Sequence, residues 1–138
     1  MCIRDRVKSN EESLATLDCA CVDLFTGRCA FYKAGAPRSY VLRHGRLTRC
    51  ELASMPAGIL RGITFAKRTA VLGAGDTVVL LSDGITDADA VGLEALLCRF
   101  QSQDQQELAD TVLAYAKAHT PADRRDDMSV IVARLLPN

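Results

Sequence analysis

The stretch that most constrains this chain is Thr77-Val78-Val79-Leu80-Leu81, followed at once by Ser82-Asp83-Gly84. Five successive apolar or β-branched residues without polar alternation predict a strand covered on both faces, and the run is too short for a helix of ordinary length. Ser-Asp-Gly is a turn signal. It sets a carboxylate, Asp83, at the exit of a rigid strand, and Gly84 lets the backbone approach whatever Asp83 holds. An Asp-Gly pair after a strand is also an ordinary turn. The stretch gains weight from a second acidic turn near the chain's end, where Arg125-Asp126-Asp127-Met128 leads into Ser129-Val130-Ile131-Val132-Ala133.

The rest of the chain supplies the frame. Residues 14–25 alternate as a long strand, Thr26-Gly27 reads as a hairpin turn, and residues 28–34 return. Gly35-Ala36-Pro37 breaks that strand. Residues 39–43 and 46–52 form a second hairpin about His44-Gly45. A loop follows on Met55-Pro56, then a strand over 63–72, and Gly73-Ala74-Gly75-Asp76 turns tightly into the central strand. Leu93, Leu96, Leu97 and Phe100 fall at i, i+3, i+4 and i+7 of a helix. Ser102-x-x-Gln105 reads as a capping box opening a second helix, with a buried stripe of Leu108, Ala109, Val112, Leu113 and Ala116, ended by Pro121. The last strand spans 128–136. Residues 9–13 are polar and fit the close of a helix. Residues 1–7 fit neither pattern and are read as a non-native or disordered leader, with 8–138 a partial domain. Strands in a run, then helices, predict an α+β fold, and apolar residues on more than one strand face predict two packed sheets.

A chain of 138 residues is one domain or part of one, and buries roughly two-thirds of its unfolded surface. Lys plus Arg and Asp plus Glu both number 17, so charge gives no argument for nucleic acid or an anionic membrane. No apolar run approaches the roughly 18 residues of a membrane span. The six cysteines form no C-x-x-C, and neither His44 nor His119 stands at ligand spacing to any of them, which argues against zinc. Most are expected to be small buried hydrophobes, free in a reducing cytoplasm; Cys19 and Cys21 share one strand face.

Asp83 leaves one strand, and Asp126 or Asp127 enters another. Antiparallel neighbours would bring these turns to the same sheet edge. Carboxylates that converge repel each other, and a hard divalent cation such as Mg²⁺ or Mn²⁺ relieves the repulsion. Such ions activate water and clamp phosphoryl groups. The plainer alternative is two solvated acidic turns on a binding module.

The motifs Ala15-Thr16-Leu17-Asp18, Val22-Asp23-Leu24-Phe25-Thr26-Gly27, Lys33-Ala34-Gly35-Ala36-Pro37, Met55-Pro56-Ala57-Gly58-Ile59-Leu60, Gly75-Asp76, Ser82-Asp83-Gly84-Ile85-Thr86-Asp87 and Asp126-Asp127-Met128-Ser129-Val130 occur in that order. Together they resemble the phosphatase domain of the stage II sporulation protein E family, within the metal-dependent PPM serine/threonine phosphatases. The resemblance runs from about Lys8 to the end. It implies an α-β-β-α sandwich of two antiparallel sheets with outer helices, here truncated on its N-terminal side, and two Mn²⁺ or Mg²⁺ ions in the intact domain. Asp83 and Asp126 match metal ligands and so the catalytic centre. Gly84 and Asp127 match supporting positions, Asp127 orienting the turn or holding a ligand water. The loops at 35–37 and 56–58 match structural elements. The implied substrate is a phosphoserine on an anti-sigma factor antagonist. The implied location is cytoplasmic, in a protein whose intact relatives carry membrane spans. The family's first metal motif, an Asp-Gly on an early strand, has no match here, Asp5 lying in the leader. At most one ion is therefore expected in this chain, and little activity from it alone. The competing reading is a binding or scaffold domain that keeps the fold without the chemistry.

Overall fold

The computed structural model describes residues 15–56 and 65–137. The leader, the polar stretch 9–13, Ala57-Gly58 and the start of the strand expected over 63–72 lie outside the described residues. The chain divides into two compact units.

The first unit holds a three-stranded antiparallel sheet of β1 (Leu17–Val22), β2 (Arg28–Ala34) and β5 (Ala66–Val71), with β2 central. On β2, Cys29, Phe31 and Lys33 alternate onto one buried face. A lysine there needs a counter-charge. The register sets Asp18 directly opposite Lys33, and both carboxylate oxygens accept from its Nζ at 2.9 Å. The β1–β2 turn is longer than the predicted two-residue hairpin. Asp23 Oδ1 accepts from the main-chain N–H of Phe25 at 2.9 Å and of Thr26 at 3.3 Å. This Asx turn ends β1 at Val22 and leaves Leu24 and Phe25 exposed at its tip. The Gly35 and Met55-Pro56 loops meet: Gly35 N–H donates to Ser54 Oγ at 2.9 Å, and a Cβ on Gly35 would stand 2.6 Å from Pro56. Their structural role is thus visible at Gly35 and Pro56.

The second unit is a four-stranded antiparallel sheet in the order β4 (Arg46–Cys50), β3 (Ser39–Arg43), β6 (Thr77–Leu81), β7 (Val130–Arg134). Val78 and Val79 are consecutive and both buried, so β6 is covered on both faces, as its composition predicts. The helices are α1 (Asp83–Thr86), a single turn, then α2 (Ala90–Arg99) and α3 (Gln105–Ala118). Leu93 and Leu97 of α2, and Leu108, Val112 and Ala116 of α3, form one core with Tyr40, Val79, Leu81 and Ile85. Helix α3 is capped by Asp104, which accepts from the N–H groups of Gln106 and Glu107, and not by the expected Ser102. A carboxylate suits the positive helix end better than a hydroxyl, and Ser102 instead bonds Glu107. The cysteines also depart from expectation. Among the described residues Cys29 and Cys50 are buried, while Cys19, Cys21 and Cys98 are free and exposed. Cys19 and Cys21 do share a face of β1, but that face is left open. No described helix is long and apolar enough to cross a membrane.

Candidate active site

Strand β6 runs antiparallel to β7, with Leu81 opposite Val130. The exit of one strand therefore lies beside the entrance of the other, which brings both acidic turns to one end of the pair. Ser82 fastens them. Its N–H donates to the Ser129 carbonyl at 3.0 Å, and its Oγ accepts from Ser129 N–H at 2.9 Å while donating to the Asp127 carbonyl at 3.2 Å. Where a simple turn was expected after β6, the chain makes the helical turn α1. Asp83 opens it, with Oδ1 accepting from Gly84 N–H at 3.0 Å and the carbonyl accepting from Asp87 N–H at 2.9 Å.

Gly84 is buried, and the main chain of the second turn crosses over it. A Cβ at Gly84 would stand 2.5 Å from the Asp127 carbonyl oxygen and 3.4 Å from that of Asp126. No side chain fits there, so the glycine of the motif is required for space. Asp83, Asp126 and Asp127 are themselves solvent-exposed. Asp126 Oδ1 accepts from Asp127 N–H at 2.8 Å, which bends the turn on itself.

Arg125 anchors the second turn from behind. Its Nη2 donates to the Lys117 carbonyl at 2.9 Å and its Nε to the Thr120 carbonyl at 3.3 Å. A cation suits the carbonyl end of α3, and this pair of bonds sets where Asp126 begins. Ser82 and Arg125 are site-building residues that the sequence reading passed over. The serine of Ser-Asp-Gly was a signal in plain view; the reach of Arg125 to α3 was not.

Two exposed carboxylates on a braced support fit a hard, partly hydrated cation that takes only some of its oxygens from protein. Among the described residues, no group of three or more His, Cys, Asp or Glu side chains is arranged to hold a metal ion. The donor set supplied here is therefore small.

Comparison with known proteins is consistent across sequence and structure. The family model for stage II sporulation protein E (SpoIIE) matches residues 3–136. The stage II sporulation protein E of Bacillus subtilis (strain 168) is 25% identical over 135 residues, covering 94% of this chain but 16% of the relative. The manganese-presoaked phosphatase domain of the cell fate determinant SpoIIE from Bacillus subtilis superposes with a TM-score of 0.76 at 26% identity, over 90% of this chain and 57% of that one. The Mycobacterium tuberculosis serine/threonine phosphatase PstP/Ppp shares the fold, with a TM-score of 0.77 at 21% identity, over 98% of this chain and 67% of that one. The two antiparallel sheets and their helices are thus those of PP2C-type phosphatase domains.

Proposed function

The chain belongs to the stage II sporulation protein E family, and from that membership we propose that it is part of a metal-dependent phosphoserine protein phosphatase. The observation that carries the reading is the seating of the Asp126-Asp127 main chain on Gly84, which holds two acidic turns at one end of the β6–β7 pair. Asp83 and Asp126 would hold Mn²⁺ or Mg²⁺, and Asp127 would shape the turn. Bound divalent ions in such a site polarise the phosphoryl group and lower the pKa of water. The chain's own part is to present carboxylates on rigid supports, through Ser82, Gly84 and Arg125.

The substrate class follows from the family: a phosphoserine on an anti-sigma factor antagonist, in sporulation sigma-factor control. We infer that the family's Asp-Gly metal motif has no counterpart in the chain, and hence two ions for a domain that includes that motif and at most one for these residues alone. One observation favours the second reading, a binding or scaffold role for this chain by itself: the described residues offer no three-ligand cluster.

The test is Mn²⁺-dependent phosphate release from an aryl phosphate and from a phosphoserine peptide. The 138-residue chain should be nearly inactive. A longer chain carrying the natural upstream segment should be active, and Asp83→Asn or Asp126→Asn should abolish that activity. Robust turnover by the short chain, or a longer chain indifferent to Asp83→Asn, overturns the assignment.

A further inference from the structure

The opposite end of the β6–β7 pair holds a second polar feature. Arg134 lies across from Thr77, four residues along β7 from Val130, about 13 Å from it at strand spacing and farther from the acidic turns. A cleft of about 490 Å³ opens there, within the size range of small-molecule sites. Its apolar lining comes from Leu42, Leu97, Phe100 and Leu108, and Arg134 and His44 add the basic groups. No acidic side chain among the described residues lines it.

Arg134 Nε is closed off from solvent and has no hydrogen-bond partner among the described residues. A buried donor left unmade is costly, and native structures rarely keep one without a reason. The nearby Asp76 carboxylate is engaged through Oδ2, which accepts from Arg43 Nε at 2.8 Å and Nη2 at 2.6 Å, and from Gly73 N–H at 2.8 Å. Thr77, Gln101, Ser102 and Gln103 also line the cleft, and beside Arg134 the main chain is held in place. Gly75 N–H donates to the Leu135 carbonyl at 2.6 Å, and a Cβ on Gly75 would approach Arg134 Nη2 at 3.6 Å.

We propose that this cleft binds a small organic anion, its carboxylate or phosphate on Arg134 and its apolar body over Leu42, Leu97, Phe100 and Leu108. The guanidinium fork matches such groups; Nε, closed off from solvent, would reach the anion only once the Arg134 side chain turned toward the cleft. The apolar lining distinguishes this ligand from a bare inorganic ion. The site is separate from the acidic turns and does not depend on their function.

Titration of the ¹⁵N-labelled chain with octanoate, followed by amide chemical shifts, tests the proposal. Octanoate should give saturable shifts centred on Gly45, Gly75, Ser102 and Arg134. Arg134→Gln should weaken binding by roughly tenfold, the loss of one charge-assisted contact. Neutral octanamide should bind weakly to the unaltered protein, which keeps the test sound should Arg134→Gln fail to fold. The proposal is overturned by the absence of saturable shifts, by octanamide matching octanoate, by inorganic phosphate matching octanoate, or by a folded Arg134→Gln protein that binds as before.

Discussion

Gly84 and Asp127 are in main-chain contact so close that any side chain at Gly84 would strike the Asp127 carbonyl oxygen, 2.5 Å from where a Cβ would stand. The contact joins the two acidic motifs more tightly than strand pairing alone, because it fixes the turns beyond the ends of β6 and β7. Gly84→Ala must push the second turn away. Overpacking of this kind costs about 1–3 kcal/mol. Urea unfolding should show a lower midpoint, and Mn²⁺ affinity should fall with it. A variant as stable as the parent would mean that the turns slide freely past each other.

The buried pair in the three-stranded sheet predicts an asymmetry. Lys33 is fully buried and faces Asp18 across β1 and β2. Removing one partner of a buried ion pair costs about 3–5 kcal/mol, whereas replacing both by apolar residues is often close to neutral. Asp18→Ala should therefore be severely destabilising, and Asp18→Leu with Lys33→Met much less so. Chemical denaturation of the three proteins distinguishes this from simple additivity.

Tyr40 and Glu94 predict opposite pH limbs. Burial, and then the hydrogen bond Tyr40 donates to Glu94, push the Tyr40 hydroxyl up to about 12. Its folded value exceeds its unfolded one, so its contribution is full below about pH 10 and is lost as pH rises through about 12. Glu94 lies below its ordinary value, chiefly because Arg49 donates to it, with burial opposing and Tyr40 assisting. Its contribution is full above about pH 4.5, the unfolded value, and fades as pH falls through the lower folded one. Ultraviolet titration should show a late-ionising tyrosine that Tyr40→Phe removes and Glu94→Gln brings down. Glu94→Gln should also flatten the acid limb of thermal stability. A late step that survives Tyr40→Phe would contradict the assignment.

Strands were most legible where glycine marks their ends. β2, β3 and β6 run over the predicted residues, bounded by Gly35, His44-Gly45 and Gly75, all at positive φ. Where a polar side chain decides the boundary, the pattern misleads: Asp23 stops β1 early with its Asx turn, and Asp104 displaces Ser102 as the cap, since both suit that position in the local sequence. The exposure of Cys19 and Cys21 depends on which sheet face the tertiary fold leaves open, which alternation does not encode. The two acidic turns were visible as motifs. What holds them together was not, because the Gly84–Asp127 contact and the Ser82 bridge to Ser129 exist only once β6 and β7 pair. The stranded Nε of Arg134 is likewise a product of packing.

Mn²⁺ binding to the 138-residue chain, read from the electron paramagnetic resonance signal of the free ion, tests whether Asp83 and Asp126 share a cation. Binding is independent of turnover and of any protein substrate. Asp83 and Asp126 are exposed, so Asn substitutions there should leave the fold intact. One weak site per chain is expected, lost in Asp83→Asn and in Asp126→Asn and weakened but present in Asp127→Asn. No measurable binding, or a site that persists in Asp83→Asn, would contradict a shared cation.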